Sequence, residues 1–294
     1  MDREIRKFIA YLHNKKRTSV NTEVSYQRDL KKMASFLSDR GIKSFAEVSE
    51  LELEGYLSYM EREKFASSTI SRNVASARAL FQFLCKEGRI KKDPSENLKP
   101  PKVEKKLPDI LTVEEVDMLL QQPDLNSMKG IRDAAMLELL YATGMRVSEL
   151  LHLQVFDINL QLGYVVCHDN GKERIIPIGG PGRKALSRYV EEARSTFVKE
   201  EKETALFTNC SGKAMSRQGF WKVVKGYAGD AGIKKDITPH TLRHSFAVHM
   251  LQNGADIKSV QEMLGHSDIS TTQVYLGMNV NKMRNVYMKA HPRH

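Results

Sequence analysis

Apolar residues recur at helical spacing through the first third of the chain. Tyr26, Leu30, Met33 and Leu37 step by four, three and four, and Ile70, Val74, Ala77, Phe81 and Leu84 do much the same. Each set makes one apolar stripe, so helices are predicted over 19–37 and 67–84, and residues 1–90 read as helical throughout. The pattern stops at 91–110, where Pro94, Pro100, Pro101 and Pro108 stand among lysines. Proline fixes φ and lacks an N–H, so this stretch is predicted to be an extended, basic linker. A second domain, 111–294, opens at Thr112 with Glu115 three residues on, a capping box for a helix to about Gln121. Another helix is predicted from roughly Ile131 to Tyr141, broken at Gly144. Tyr164–Asp169 and Lys172–Ile178 flank Asn170-Gly171, the strongest two-residue hairpin signal. Thr238-Pro239 opens a helix to about Gln252, ended by Gly254, and Asp256 caps one that stops at Gly265. The expected fold is mostly α with a small β-sheet.

Composition adds a partner class. The net charge is +10, and residues 1–107 hold 23 Lys+Arg against 15 Asp+Glu while the remainder holds 23 against 21. The excess sits in the N-terminal third, as expected of a domain that grips a polyanion, most commonly nucleic acid. Within the 67–84 helix, Arg72 and Ser76 share a face away from the apolar stripe, with Arg78 nearby. That face reads either as a solvated surface or as one laid against DNA phosphates. No apolar run reaches the ~20 residues of a membrane span. The charged start, Met1-Asp2-Arg3-Glu4, lacks a signal-peptide core, so the cytoplasm is the expected location. Cys85, Cys167 and Cys210 form no CxxC pair, which points to reduced, structural thiols.

Three clusters carry candidate chemistry. His240, Arg243 and His244 fall on one helical face, while Leu242, Phe246 and Met250 form an apolar one. Leu264-Gly265-His266-Ser267-Asp268 is followed by Tyr275, nine residues after the histidine. Arg146 sits just past Gly144, at the mouth of a new helix. Each cluster alone is better read as ordinary structure: a charged surface face, a glycine-ended helix with a half-buried tyrosine, and a surface arginine paired with a glutamate. Metal binding is not expected at His240, His244 and His249, because HExxH is absent and Arg243 between them repels a cation. Taken together, two arginines, two histidines and a tyrosine suit phosphodiester chemistry. Arginine forks bind phosphate oxygens and stabilise a pentacoordinate phosphorus. Histidine takes a proton from an attacking hydroxyl, and nearby cations favour the phenolate of a tyrosine whose free pKa is about 10. The resulting phosphotyrosine ester conserves the bond for religation without ATP, and the arginines supply positive charge without a metal or other cofactor.

These residues carry a family resemblance. TGMRVSEL around Arg146, PHTLRHSFA at 239–247 and LGHSDISTTQVY at 264–275 look like the signature blocks of tyrosine recombinases, in order and at matching spacing. The ending His291-Pro292-Arg293 resembles the Xer subfamily. The resemblance covers essentially the whole chain. It implies a helical, SAM-like core-binding domain and a mixed catalytic domain that clamp double-stranded DNA as a C. It implies that Arg146 and Arg243 bind the scissile phosphate, that His240 and His266 assist, and that Tyr275 attacks to leave a 3′-phosphotyrosyl bond. It further implies a tetramer on two recombination sites, with a sister recombinase or further copies of itself, a C-terminal segment docked on a neighbouring subunit, and a DNA translocase as trigger. The expected task is resolution of chromosome dimers at cell division; a mobile-element integrase and a DNA-binding member without turnover stand as alternatives.

One position departs from the family. The family's hairpin lysine, which protonates the leaving 5′-oxygen, lies in a GKGxKxR setting eight residues before a proline. Counting back from Pro177 reaches Asp169. If Asn170-Gly171 is a two-residue turn, Asp169 and Lys172 are opposed, with Cβ atoms about 5 Å apart. Lys172 is therefore the expected general acid, acting from the facing strand.

Overall fold

A computed structural model describes residues 1–101, 109–169, 172–200 and 202–265. The chain divides into two compact units, 1–106 and 107–294. The first unit is helical: α1 (Asp2–Tyr11), α2 (Val20–Ser38), α3 (Glu50–Arg62) and α4 (Ser67–Lys86). The periodic stripes explain the packing. Leu30, Met33 and Leu37 of α2 and Ile70, Val74, Ala77, Phe81 and Leu84 of α4 are all buried in one core. Ser19 caps α2 by accepting the Thr22 N–H at 3.2 Å, and Ser49 with Glu52 forms a capping box for α3. Within the stretch expected to be a linker, Ser95 and Leu98 are buried against this core.

The polar face expected at Arg72 and Ser76 needs correction. Ser76 is buried and its hydroxyl donates to the Asn73 carbonyl at 2.9 Å. Arg72 turns its fork onto Asp29 of α2, donating through Nε at 2.7 Å and Nη2 at 3.0 Å to both carboxylate oxygens. The cause is that α4 packs against α2 on this side as well, so a second face of α4 is occupied by protein. Arg78 donates to the carbonyls of Ser95 and Glu96, at 3.4 and 3.3 Å.

The second unit is built on α6 (Met128–Thr143), of which Ile131–Leu137 and Leu139–Leu140 are buried all round. Around it lie α5 (Val113–Leu120), α7 (Val147–His152), α8 (Gly180–Arg188), α9 (Arg194–Phe197), α10 (Arg217–Asp230), α11 (Pro239–Gln252) and α12 (Ile257–Leu264). The sheet has three antiparallel strands in the order β1 (Ile158–Asn159), β2 (Tyr164–Asp169), β3 (Lys172–Pro177). Val165, Cys167 and Ile176 point inward, as the period of two requires. The register pairs Asp169 with Lys172 directly, while the two turn residues lie outside the described residues.

Candidate active site

Two glycines fix where the site's arginines emerge. Gly144 ends α6 in the left-handed conformation (φ +59°), and a Cβ there would strike the Phe246 ring of α11 at 2.2 Å. This close approach brings α6 and α11 together. Arg146, two residues on, is the N-cap of α7. Gly265 ends α12 at φ +64°, and a Cβ there would press on the Arg174 guanidinium at 3.0 Å.

Three arginines converge on the end of α12. Arg174 Nε donates to the Met263 carbonyl at 2.9 Å, Arg243 Nη2 to Leu264 at 2.7 Å and Arg146 Nη2 to Gly265 at 2.9 Å. These are consecutive carbonyls at the negative end of a helix dipole, which favours cations. Arg243 also donates through Nη1 to the Gly144 carbonyl at 2.6 Å, so it ties the end of α6 to the end of α12. It is buried.

Glu149 is the common carboxylate. It accepts the Arg146 N–H at 2.7 Å and Arg146 Nη1 at 2.9 Å, and it takes both ends of the Arg174 fork at 2.8 and 2.6 Å. Its side chain is 5% exposed. Burial pushes its carboxyl up, but the hydrogen bonds from Arg174 and the Arg146 N–H, with both guanidinium charges, outweigh that and hold it below the usual range. Arg146 makes a further bond, from Nη1 to Asp169 Oδ2 at 2.8 Å.

The histidines of α11 divide by depth. His240, in the first turn, is exposed at its rim, and desolvation by its surroundings, then Arg243 and Arg217, lowers its pKa. His244 lies a turn further in, with ring centroids 6.5 Å apart, and is lowered to about 4 by desolvation, His240 and Arg243. Both are therefore neutral near pH 7. His249 belongs elsewhere: it is buried, its Nε2 donates to the Leu111 carbonyl at 3.0 Å and its Nδ1 takes the Tyr141 hydroxyl at 2.8 Å. A carbonyl only accepts, which fixes the Nε2–H tautomer and leaves His249 a strut.

A cavity of about 530 Å³ opens beside these groups, lined among others by Arg146, Ser148, Arg217, Trp221 and His240. Of the residues expected from sequence, Arg146, His240 and Arg243 are thus gathered by α7, α11 and the end of α12, with Lys172 exposed at the start of β3. His266 and Tyr275 lie outside the described residues. Sequence reasoning missed Glu149, Arg174 and helix α10, which brings Arg217 and Trp221 to the cavity. For α10 a signal existed: Ser216 accepts the Gly219 N–H at 3.0 Å as a cap, and Phe220, Val224 and Ala228 step by four.

Comparison with known proteins bears on this arrangement. The sequence pattern of the phage integrase family matches residues 109–282, and that of the phage integrase N-terminal SAM-like domain matches 5–88. The chain is 45% identical over 292 residues to a tyrosine recombinase XerD of Oceanobacillus iheyensis, covering 98% of each. It is 44% identical over 294 residues to a tyrosine recombinase XerD of Staphylococcus aureus, covering 100% of each. Among solved structures it resembles XerH recombinase bound to palindromic difH substrate after cleavage, with TM-score 0.79, 22% identity, and coverage of 97% of this chain and 84% of that one. A lambda integrase dimer bound to a core site gives TM-score 0.70 at 18% identity, covering 94% of each chain. At such identities the two structures speak for the fold.

Proposed function

The chain belongs to the phage integrase family and is a Xer-type site-specific tyrosine recombinase, and from that premise we propose how its residues divide the work. Arg146 and Arg243 hold the non-bridging oxygens of the scissile phosphate, and His266 adds a hydrogen bond. The Tyr275 phenol gives its proton to neutral His240 and its oxygen attacks phosphorus. The P–O5′ bond breaks as the new P–O bond forms, and Lys172 protonates the leaving 5′-oxygen. A 3′-phosphotyrosyl ester and a free 5′-hydroxyl result. The 5′-hydroxyl of a partner strand reverses the step, so a phosphoester is conserved throughout and ATP is not consumed. Fixed guanidinium charge neutralises the phosphate.

What supports this reading is the arginine knot. Three guanidiniums anchored to consecutive carbonyls lie at the turn that leads directly into His266. Such anchoring preorganises charge, and preorganised charge is usually what stabilises a charged transition state most. The N-terminal unit grips the double-stranded DNA backbone. Arg78, bonded to neutral carbonyls, brings its charge to a phosphate; Arg72 reaches one only by sharing its fork with Asp29. The assembly is a tetramer on two sites, with a sister recombinase or further copies of this chain, triggered by a DNA translocase. Its task is resolution of chromosome dimers in the cytoplasm. A second reading, a DNA-binding member with weak turnover, is favoured by one observation, the carboxylate of Asp169 where the family carries its hairpin lysine.

Covalent trapping tests the proposal. Wild type and Tyr275→Phe are incubated with a nicked duplex carrying a site that the wild-type chain retains from a randomised pool, then run on a denaturing gel. A slow band from wild type alone is expected. Retention of the duplex with no covalent band from either protein would favour the weak-turnover reading.

A further inference from the structure

Arg146 carries two carboxylates, and they differ in kind. Glu149 is 5% exposed and takes four hydrogen bonds from Arg146 and Arg174, so it is firmly held. Asp169 is 37% exposed and stands at the last residue of β2, on the rim of the same guanidinium. Both hydrogens of Arg146 Nη1 are thereby engaged, one by Glu149 Oε1 at 2.9 Å and one by Asp169 Oδ2 at 2.8 Å. Nη2 points one hydrogen at the Gly265 carbonyl. A phosphate that approaches the Nη1–Nη2 face of this fork meets a carboxylate already on one arm.

We infer that Asp169 is an internal competitor of the substrate phosphate: its carboxylate holds Arg146 in the DNA-free chain and yields it when a phosphodiester arrives. The inference rests on the assignment of Arg146 to the scissile phosphate. The 37% exposure of Asp169 makes the exchange easy, because solvent screens its pair with Arg146. Two anions cannot share the Nη1 arm without repulsion, so binding of the one is coupled to release of the other. Asp169 thereby keeps the guanidinium aimed while the site is empty, and it lowers the affinity for DNA by the strength of the pair.

The test measures affinity in a Tyr275→Phe background, with and without Asp169→Asn, on two forms of the duplex cut in the trapping experiment. One carries the natural scissile phosphodiester and the other a neutral methylphosphonate at that position. Asp169→Asn is expected to tighten binding of the phosphodiester about three- to fivefold, the range of a partly exposed ion pair, and to leave binding of the methylphosphonate unchanged. Equal tightening on both would show a general loss of negative charge and would overturn the inference, as would no tightening on either. Arg146→Ala separates the two levels. If it abolishes the preference for the phosphodiester, the underlying assignment stands and the behaviour of Asp169→Asn decides alone. If the preference survives, Arg146 is not the phosphate ligand and the inference fails with that assignment. In the DNA-free chain, phenylglyoxal should modify Arg146 faster in Asp169→Asn than in wild type; an equal rate would also overturn it.

Discussion

Arg72 in the N-terminal unit and Arg146 in the catalytic unit are both partly exposed, 38% and 32%, and both bond to a carboxylate. Yet they are held in opposite ways. Arg72 places two nitrogens on the two oxygens of a single aspartate that is 4% exposed, a closed bidentate pair across α2 and α4. Arg146 distributes its bonds over a buried glutamate, a rim aspartate and a main-chain carbonyl. The first arrangement neutralises the guanidinium and joins two helices. The second fixes its direction while leaving one partner able to depart. An arginine destined for a phosphate needs anchoring without permanent neutralisation, and sharing the anchor among neighbours achieves this.

The largest expected effect attacks the shared anchor. Glu149→Ala leaves Arg174, itself 15% exposed, with an uncompensated buried charge. The cost should be about 3–5 kcal/mol, seen as a fall in the melting temperature of the catalytic unit by scanning calorimetry of the whole chain. A shift near zero would mean that the carbonyls of 263–265 suffice and that the carboxylate is dispensable.

Lys172→Ala should act on rate instead. Lys172 is exposed at the end of a strand, so its loss should leave stability unchanged while covalent cleavage slows about 100-fold, the typical contribution of a general acid. Cleavage equal to wild type on an ordinary phosphodiester would remove Lys172 from the mechanism. Cleavage restored to Lys172→Ala by a phosphorothiolate at the 5′-bridging position, whose sulfur leaves without a proton, would tie the loss to that step.

How far the sequence disclosed these arrangements depended on the range of the interaction. One-sided burial writes itself into periodicity, so α2 and α4 were legible, and glycines at 144 and 265 marked the helix ends that frame the site. The register of β2 with β3 followed from Asn170-Gly171, and Asp169 does face Lys172. A two-residue strand such as β1 is too short to show alternation. The Glu149–Arg174 contact joins residues 25 apart through side-chain geometry alone, which no local pattern encodes. The partner of Arg72 was illegible for the same reason: Arg72 and Asp29 lie 43 residues apart, and only the packing of α2 on α4 makes them a pair. Asp169 was legible as a departure from the family, but its bond to Arg146 was not.

Arg72→Ala is the counterpart of Glu149→Ala in the other unit, with a smaller effect. It leaves the Asp29 carboxylate buried without its main partner, which should cost about 1–3 kcal/mol in the N-terminal unit. Because the fork is already engaged, the salt dependence of DNA binding should keep its slope. A slope reduced by about one phosphate contact would show that Arg72 shares its fork with the backbone, and the two arginines would then be alike in function.

Acid titration separates the two units by the pH window in which their shifts act. His244 has its pKa lowered to about 4 by desolvation, then by His240 and Arg243. The unfolded chain therefore binds a proton that the folded catalytic unit refuses, so its contribution to stability is present above about 6.5 and is lost as pH falls toward 4. His240 and His249, shifted the same way, add to the loss, and His168, raised by its hydrogen bond to Asp157, offsets part of it. In the N-terminal unit Glu52 is held below its usual range by hydrogen bonds from Ser49, and that contribution is lost only below 4.5. Melting of the catalytic unit should accordingly begin to fall at a higher pH than melting of the N-terminal unit. His244→Asn should reduce the difference between pH 6.5 and 5, since it removes the most strongly shifted histidine, which only the unfolded chain protonates in that window. If both units lost stability together, or if His244→Asn left the difference intact, the neutral state of this histidine would not be what distinguishes them. The same shift bears on the role proposed for His240: a base with a lowered pKa stays able to accept a proton below pH 6.5, so the acid limb of cleavage should lie under that value. Arg217→Ala removes one of the cations that lower it, and the limb should then move toward higher pH.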